Sequence, residues 1–594
     1  MDLIHNFAFD LDENGGPLMN CMTIIAGKNA SATGRVLVGH NEDDGGHIVV
    51  RHTVVPPMDW PEGTLLPAEP GRARIPQAAH TLGYYWVEFR TDEVGLSNSD
   101  VFYNDHGVLI VSNSMGTSRE SMEDASGLRD GGLAYNLRRA LAERATSARA
   151  GAKLLMELVE TWGYAPSGRA YTIADKDEAF MFQLVHGRHY VGARVPDDHI
   201  VVMPNFYNFH TLRDCPEMYY SSDIVEYAVQ RGWYVPAVPG DYSDFDFATA
   251  YQAPEEHMGS RNVLRQKHGQ RIALGRDWDV EREGLPFSIP AARPLDVKKI
   301  AEILSTHYEG TPDRCEWYGP GRSPHDTPNI RNICNGTTLE CAICDFDEET
   351  DLTTLYTAFG RPCQLPFAPV HPLLGVPAGL EPAADALRRM EGHLSPEPSA
   401  LHSGRSAWQR LRRVESRLEM VYADAMPGVR TKLDAALEDC QAANARTLAR
   451  ARALRAEGRA EEARAQTVEA DGAFLMRAVE EMEALKLSSV RVEPVPALSL
   501  KQLPETLRVT FNAQSAPAQE NLILGLSHTD TRVKYAAAVP GSLKPAGDNR
   551  YEAAFPTEPF AGYLHFAGSY DFILGGVDAD GKAFQSAFEM TVLD

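Results

Sequence analysis

The stretch of residues 21–43 constrains the fold more than any other part of this 594-residue chain. Residues 22–26 are apolar apart from one threonine, residues 28–34 are small and polar and end in glycine, and residues 35–39 are mostly apolar again. This pattern predicts two half-buried strands joined by a tight turn. The strands would run antiparallel and bring Cys21, at the start of the first, close to residues 40–43 at the end of the second.

The position of Cys21 suggests chemistry as well as structure. A thiol is a poor nucleophile until it loses its proton, and a free cysteine has a pKa of about 8.5. If the peptide bond before Cys21 is cut, the new α-amine, with a pKa of about 7.7–8.0, can serve as the base. Asp43 would then bond the amine or the thiol. On the residues alone, Cys21 as a small buried hydrophobic residue of a strand remains an open alternative.

Three short motifs in this stretch carry a resemblance to a known family. They are Cys21-Met22-Thr23, Gly27-Lys28-Asn29-Ala30 and Asn41-Glu42-Asp43. They resemble the start of the N-terminal-nucleophile cysteine dipeptidases, the dipeptidase A and secernin group, which is related to penicillin V acylases and bile salt hydrolases. The resemblance covers about residues 21–490. It implies an α+β protein with an αββα N-terminal-nucleophile hydrolase sandwich, in which Cys21 and Asp43 are catalytic.

The same resemblance implies oxyanion donors and a positive charge at the site. Asn205, ahead of Asn208, ends an apolar strand where the related enzymes carry a catalytic asparagine, and Asn113 or Ser114 is the candidate second donor. Arg261 resembles the arginine that lies beside the nucleophile and lowers the pKa of its thiol. On the residues alone, turn-capping asparagines and a solvated helix arginine remain open alternatives.

A dipeptidase must also recognise the free amine of its substrate. Glu42 or Asp44, next to the predicted hairpin, would supply the opposing charge. No cofactor and no metal are expected, because Cys341 and Cys344 have metal-ligand spacing but no second pair or nearby histidine completes a zinc site. The expected partner is a small peptide, and homo-oligomerisation remains open.

Charge and hydropathy exclude several other classes of function. The net charge of −25 argues against nucleic-acid binding, which needs a basic face, and disfavours anionic membrane surfaces. No run approaches the roughly 18 apolar residues of a membrane span. Residues 1–20 carry four acidic residues and lack the basic start and apolar run of a secretory signal. They are therefore predicted to be a leader or propeptide, and the expected location is cytoplasmic.

Changes of pattern along the chain predict its domain organisation. Residues 21–378 alternate strand and helix patterns and form the predicted hydrolase core. Residues 379–489 are rich in Ala, Arg and Glu with helical spacing, and predict a helical hairpin that turns near residue 458. Residues 490–594 contain short alternating runs separated by turns, which is typical of an Ig-like β-sandwich.

The function expected from the sequence is hydrolysis of dipeptides through a free N-terminal Cys21. One alternative is an acylase of the same fold that cleaves N-acyl amides. A second alternative, from a different class, is a non-catalytic binding protein that uses the C-terminal β-sandwich.

Overall fold

The fold is taken from a computed structural model. It describes residues 21–44, 48–91, 97–115, 118–254, 260–314, 323–326, 332–380, 386–394, 406–527, 535–564 and 567–594. The predicted leader, residues 1–20, lies outside these ranges. The described part contains both helices and antiparallel sheets, which confirms the α+β class.

Two large sheets, a small sheet of two strands (β4 and β5) and seven α-helices occupy the described part of the first 380 residues. The strands are β1 (Met22–Ala26), β2 (Leu37–Asp43), β3 (Ile48–Val55), β4 (Met58–Asp59), β5 (His80–Thr81), β6 (Tyr84–Thr91), β7 (Ser97–Asn104), β8 (Leu109–Ser114), β9 (Tyr164–Ala174), β10 (Ala179–Gly187), β11 (Tyr190–Arg194), β12 (His199–Met203), β13 (Met218–Tyr220), β14 (Ser288–Pro290), β15 (Thr338–Asp345), β16 (Thr354–Ala358) and β17 (Phe367–Val370). The helices are α1 (Asn136–Arg144), α2 (Ala148–Trp162), α3 (Ile224–Gln230), α4 (Phe247–Tyr251), α5 (Ser260–Leu274), α6 (Val280–Glu283) and α7 (Val297–Leu304).

The hairpin predicted from the sequence is present as β1 and β2. The strands pair antiparallel from Met22 opposite Asn41 to Ala26 opposite Leu37. Gly27 follows β1 where the chain passes very close to a neighbouring loop, since a Cβ there would lie 2.4 Å from the main-chain oxygen of Pro196. A side chain at this position would therefore push the start of the turn away from that loop.

The hairpin lies in the middle of the first large sheet. Its strand order is β14-β12-β1-β2-β15-β16-β17, and the second sheet runs β13-β11-β10-β9-β8-β7-β6-β3. The two sheets meet near the start of β1, where the Thr23 hydroxyl donates to Asn113 Oδ1 of β8 at 2.6 Å. Helices α1 and α2 pack on β7–β10, while α5 and α7 pack on strands of the first sheet.

Helix α7 shows why a helix covers the outer face of the first sheet. Asp296 caps its start by accepting from the amide of Lys299, and its apolar residues recur at helical spacing so that Ile300 and Leu304 are fully buried. Each such side chain contributes about 1.5–3 kcal/mol on burial. The helix lies directly on β2, because a Cβ at Gly39 would come within 2.3 Å of the Ile300 side chain.

A helical segment follows the two large sheets along the chain. It contains α8 (Ala386–Glu391), α9 (Ala407–Met420), α10 (Tyr422–Ala456) and α11 (Ala460–Glu483). The hairpin of α10 and α11 turns at Gly458, which has a φ of 78°, and both helices pack on β17. Over the residues that the structure describes, no helix combines the length and the apolar character needed to cross a membrane.

The C-terminal residues form two smaller sheets around one apolar core. Their elements are β18 (Arg491–Val492), β19 (Leu498–Ser499), β20 (Thr506–Asn512), β21 (Ile523–Leu526), β22 (Tyr535–Ala537), β23 (Lys544–Gly547), β24 (Arg550–Pro556), α12 (Glu558–Ala561), β25 (Gly568–Val577) and β26 (Ala583–Leu593). The sheet orders are β18-β20-β24-β23 and β19-β26-β25-β21-β22. Helix α9 rests on the second of these sheets, and Arg413 pairs there with Asp571 at 2.5 Å.

Candidate active site

Cys21 immediately precedes β1, in the middle of the first large sheet. Its Sγ lies 3.6 Å from Glu42 Oε2 and 3.7 Å from the main-chain oxygen of Asp43, both at the end of β2. The hairpin therefore brings these residues together, as the sequence predicts. In the full-length chain Cys21 is fully buried.

The thiol of Cys21 is not activated in this environment. Burial, followed by the negative charges of Asp43 and Asp100, raises its pKa to about 11. The thiol therefore keeps its proton at neutral pH in the full-length chain. Nucleophilic chemistry at Sγ requires a base and a change in the surroundings of the residue.

Asp43 is held at one oxygen and unsatisfied at the other. Its Oδ2 accepts from Asn335 Nδ2 at 2.6 Å, whereas Oδ1 is buried and has no hydrogen-bond partner among the described residues. Burial raises the pKa of this carboxyl to about 7, although Arg265, Thr338 and Asn335 oppose the rise. An unpaired buried carboxylate oxygen is costly unless a donor comes to it.

Arg265, on α5, joins Cys21 to Asn205. Its Nη2 donates to the main-chain oxygen of Cys21 at 2.9 Å, and its Nη1 donates to Asn205 Oδ1 at 2.5 Å. The sequence resemblance instead points to Arg261 for the place beside the nucleophile. Arg261 lies on the same helix, but its side chain is outside the described part of the structure. Arg265 is one helical turn later, so the i, i+4 spacing is the signal that would have found it.

The two candidate asparagines after β12, Asn205 and Asn208, have different hydrogen-bond partners. Asn205, just after β12, donates from Nδ2 to the main-chain oxygen of Ser114 at 2.5 Å and accepts from Arg265. Asn208 instead accepts from Gln183 at 2.6 Å and donates to Gln266 at 3.3 Å. Of the two asparagines, only Asn205 shares Arg265 with Cys21, and it is the one that the sequence analysis places first.

Asn113 connects strands of both sheets. It accepts from Thr23 on β1 and donates from Nδ2 to the main-chain oxygen of Met203 on β12 at 3.1 Å. Both ends of its amide are thus engaged by the protein. This arrangement fixes the start of β1 relative to β8 and β12.

Glu42 belongs to a buried polar cluster beside the thiol. Its Oε2 lies 3.0 Å from His40 Nε2, while His40 Nδ1 lies 2.8 Å from the Thr23 hydroxyl. Burial and the neighbouring Asp100 raise the pKa of Glu42 well above its usual value, and burial lowers the pKa of His40 to about 4. His40 is therefore neutral at pH 7, and the protonated form of Glu42 is favoured.

Asp44, the other candidate for the substrate amine, lies just beyond the end of β2. Its main-chain N–H donates to the main-chain oxygen of Thr337 at 3.0 Å, and the residue is half-buried. It is thus closer to solvent than Glu42, which is 5% exposed.

One group at this site has the composition of metal ligands. The ligand atoms of Cys21, His40 and Glu42 lie within 4.8 Å of one another. Both nitrogens of His40 already contact protein atoms, so hydrogen bonding accounts for the group. Cys341 and Cys344, which have metal-ligand spacing in the sequence, are buried on β15, opposite Asn41 and Val38 of β2.

Comparison with known proteins places this chain within a family. The sequence profile of peptidase family C69 matches residues 20–374, more than half of the chain. A probable dipeptidase B of Lactococcus lactis is 26% identical over 333 residues, covering 53% of this chain and 65% of that protein. A dipeptidase of Bifidobacterium longum is 25% identical over 325 residues, covering 50% of this chain and 60% of that protein. The chain thus spans less than two thirds of the length of these relatives.

Solved structures similar to this chain include an acylase and a hydrolase. Penicillin V acylase from Agrobacterium tumefaciens has a TM-score of 0.29 and 12% identity, covering 57% of this chain and 82% of that chain. A mutant of conjugated bile acid hydrolase from Clostridium perfringens has a TM-score of 0.28 and 11% identity, covering 59% and 92%. By the match of residues 20–374, which begins one residue before Cys21, this chain belongs to peptidase family C69.

Proposed function

We propose that this protein is a cysteine dipeptidase that acts through the free N-terminus of Cys21. The observation that carries the proposal is the convergence on Cys21 of Asp43, with one unsatisfied oxygen, and of Arg265, which also holds Asn205. Membership of peptidase family C69 and the names of the dipeptidase relatives support the reaction class.

Removal of residues 1–20 is the first step of the proposed mechanism. It converts the amide nitrogen of Cys21, a buried residue, into an α-amine. Asp43 Oδ1, buried without a partner among the described residues, would accept a hydrogen bond from this amine.

The amine then serves as the base for its own side chain. It takes the thiol proton, and the thiolate attacks the carbonyl carbon of the scissile amide to form a C–S bond. The oxyanion is held by Asn205 Nδ2, oriented through the contact of Asn205 Oδ1 with Arg265. The ammonium returns the proton to the leaving nitrogen as the C–N bond breaks, and water releases the acyl group from the thioester.

Asn113 and Arg265 act as positioning residues in this proposal. Asn113 uses its amide to bond Thr23 of β1 and Met203 of β12, and so holds the strand that follows Cys21 in place. Arg265 anchors the main chain of Cys21 and adds a positive charge that favours the thiolate. A role for Arg261 beside the nucleophile remains a prediction.

Recognition of the substrate amine is assigned to Glu42 or Asp44. Glu42 lies next to Sγ. Its surroundings raise the pKa of its carboxyl, and a bound ammonium would oppose that rise and favour the carboxylate. Asp44 is half-buried at the same strand end. Either carboxylate would restrict the enzyme to substrates with a free amine one residue from the scissile bond.

We also propose the layer arrangement and domain limits that accompany this function. Helices α1 and α2 cover the second large sheet, and α5 and α7 cover the first, which supports an αββα sandwich over residues 21–378. Residues 379–489 form the helical segment, and residues 490–594 form the β-sandwich that caps it.

The function is tested by comparing dipeptides with their N-acetylated forms and with penicillin- and bile-type amides. We expect hydrolysis of the free dipeptides, at least tenfold slower hydrolysis of the acetylated forms, and no activity in Cys21→Ala. Glu42→Gln and Asp44→Asn identify the amine-binding group, since the responsible variant loses the tenfold preference. Equal rates on free and acetylated substrates would contradict the dipeptidase assignment, and faster cleavage of the acyl amides would replace it with an acylase.

A further inference from the structure

A second cluster of reactive side chains lies outside the candidate active site. It consists of His307, His325, Cys334 and Cys363, all fully or almost fully buried, and their ligand atoms lie within 4.8 Å of one another. His325 Nε2 is 3.0 Å from His307 Nε2, 3.3 Å from Cys363 Sγ and 3.9 Å from Cys334 Sγ. Four soft or borderline ligand atoms thus converge on one point in the interior.

We propose that these four side chains bind one Zn²⁺ ion in a closed structural site. Two thiolates and two imidazoles form a common structural zinc set, with Zn–S bonds of about 2.3 Å and Zn–N bonds of about 2.0–2.1 Å. Tetrahedral geometry with those bonds separates the ligand atoms by about 3.3–3.8 Å. The distances around His325 Nε2 bracket that range, so a small adjustment of the side chains accommodates the ion.

The outer hydrogen bonds of the two histidines support this assignment. His307 Nδ1 lies 3.0 Å from Glu309 Oε1, and His325 Nδ1 lies 2.7 Å from Glu419 Oε1. An ionised carboxylate only accepts hydrogen bonds, so it places the imidazole proton on Nδ1. If both rings are neutral, their Nε2 lone pairs then face each other across 3.0 Å. A cation between them removes that repulsion, and carboxylate-bound histidines of this kind are usual at zinc sites.

Competing explanations fit the cluster less well. Without a metal, His307 would have to be protonated to donate from Nε2 to His325 Nε2, which places an imidazolium in the interior, and thiol protons donated to His325 Nε2 would form only weak hydrogen bonds. A disulfide between Cys334 and Cys363 would remove those protons and leave the two imidazoles opposed. Zinc engages all four groups, and two thiolates neutralise its charge in an interior where unpaired charge is costly.

The position of the cluster indicates what the ion does. His307 follows α7, His325 lies in the turn at residues 324–326, and Cys334 and Cys363 precede β15 and β17. Glu419, which contacts His325, belongs to α9. Asn335, adjacent to Cys334, is the residue that donates to Asp43. With four protein ligands and no open position, the ion would have a structural role. It would hold Asn335 in position to donate to Asp43, and it would attach the helical segment to the core.

The first test is the metal content of the purified full-length chain after dialysis against metal-free buffer. We expect about one zinc per chain, and at least a tenfold loss in Cys363→Ser and in His307→Gln. Cys440→Ala, which changes a buried cysteine of α10 outside the cluster, should retain the metal. Glu309→Gln should weaken zinc binding by about 10- to 100-fold in competition with a chelator, because it releases the outer nitrogen of His307.

X-ray absorption on the wild-type protein decides the question even if ligand variants fail to fold. We expect two sulfur and two nitrogen neighbours at the bond lengths given above. Absence of bound metal, a Cys334–Cys363 disulfide in the peptide map, or a metal with oxygen and nitrogen ligands alone would overturn the proposal. The same measurement on Cys21→Ala should give the same spectrum, so the zinc site and the dipeptidase assignment stand or fall separately.

Discussion

Arg265 donates to the main-chain oxygen of Cys21 at 2.9 Å, so a buried guanidinium anchors the residue on which the proposed chemistry depends. The second arm of the same group reaches Asn205 Oδ1. One arginine thus sets the distance between the proposed nucleophile and the proposed oxyanion donor.

Replacing Arg265 should lower activity, because its guanidinium holds both Cys21 and Asn205. Arg265→Lys keeps the charge but cannot make both hydrogen bonds, and a hydrogen bond to a charged group contributes about 1.5–3 kcal/mol. We expect kcat/KM to fall about 10- to 100-fold, and further in Arg265→Gln. Steady-state kinetics on a dipeptide measure this. Arg282→Lys, at an exposed position of α6, is the control; a decrease as large as that of Arg265→Lys would mean that the effect is not local.

Asn205→Ala should reduce kcat about 10²–10³-fold with little change in KM, because an oxyanion donor acts in the transition state. Asn208→Ala removes a buried amide of the same neighbourhood that bonds Gln183 and Gln266. It should lower stability but leave kcat of the folded fraction within a few-fold. The opposite result, with kcat lost in Asn208→Ala and kept in Asn205→Ala, would exchange the two assignments.

Local pattern was sufficient to predict the elements that carry the proposed nucleophile. The apolar runs on either side of the turn predict the β1–β2 hairpin, and a two-stranded hairpin fixes the proximity of Cys21 and residues 40–43 without knowledge of the rest of the fold. The helical hairpin around residue 458 and the change to short strands after residue 490 follow from the same periodicities.

Local sequence patterns do not predict contacts between segments that are far apart along the chain. Asn335 meets Asp43 only because β15 pairs with β2, and nothing in the sequence near either residue encodes that register. The proposed zinc cluster draws its ligands from four separate segments, so it shows no short metal motif, whereas the closely spaced pair Cys341 and Cys344 is not part of it. Arg265 is not predicted because the resemblance to the related enzymes points to Arg261 and does not extend to residue 265.

The reactivity of Cys21 should depend on whether residues 1–20 are attached. In the full-length chain the pKa of its thiol is raised to about 11, so the protonated form dominates at pH 8 and alkylation should be negligible. In the processed chain the neighbouring amine and water lower that pKa, and labelling by iodoacetamide should proceed near pH 7–8. Peptide mapping measures the labelling of Cys21 in both forms, and the buried Cys440 serves as the unlabelled reference. Equal labelling of Cys21 in the two forms would contradict the account.

The attachment of the C-terminal sheets to α9 rests on close packing at Gly575. A Cβ there would lie 2.5 Å from Met420 Sδ, so Gly575→Ala should lower the free energy of unfolding by about 1–3 kcal/mol through overpacking. Gly562→Ala is the matched control, because a Cβ at Gly562 meets nothing within 4 Å. Urea unfolding measures both, and equal midpoints for the two variants would show that the packing at Gly575 is not tight.

The most direct test of the central claim is the intact mass of the purified protein, read together with its dipeptidase activity. We predict that the active form begins at Cys21, having lost residues 1–20, and that Cys21→Ala is inactive. A fully active protein that retains Met1, or that begins at any residue other than Cys21, would contradict the mechanism.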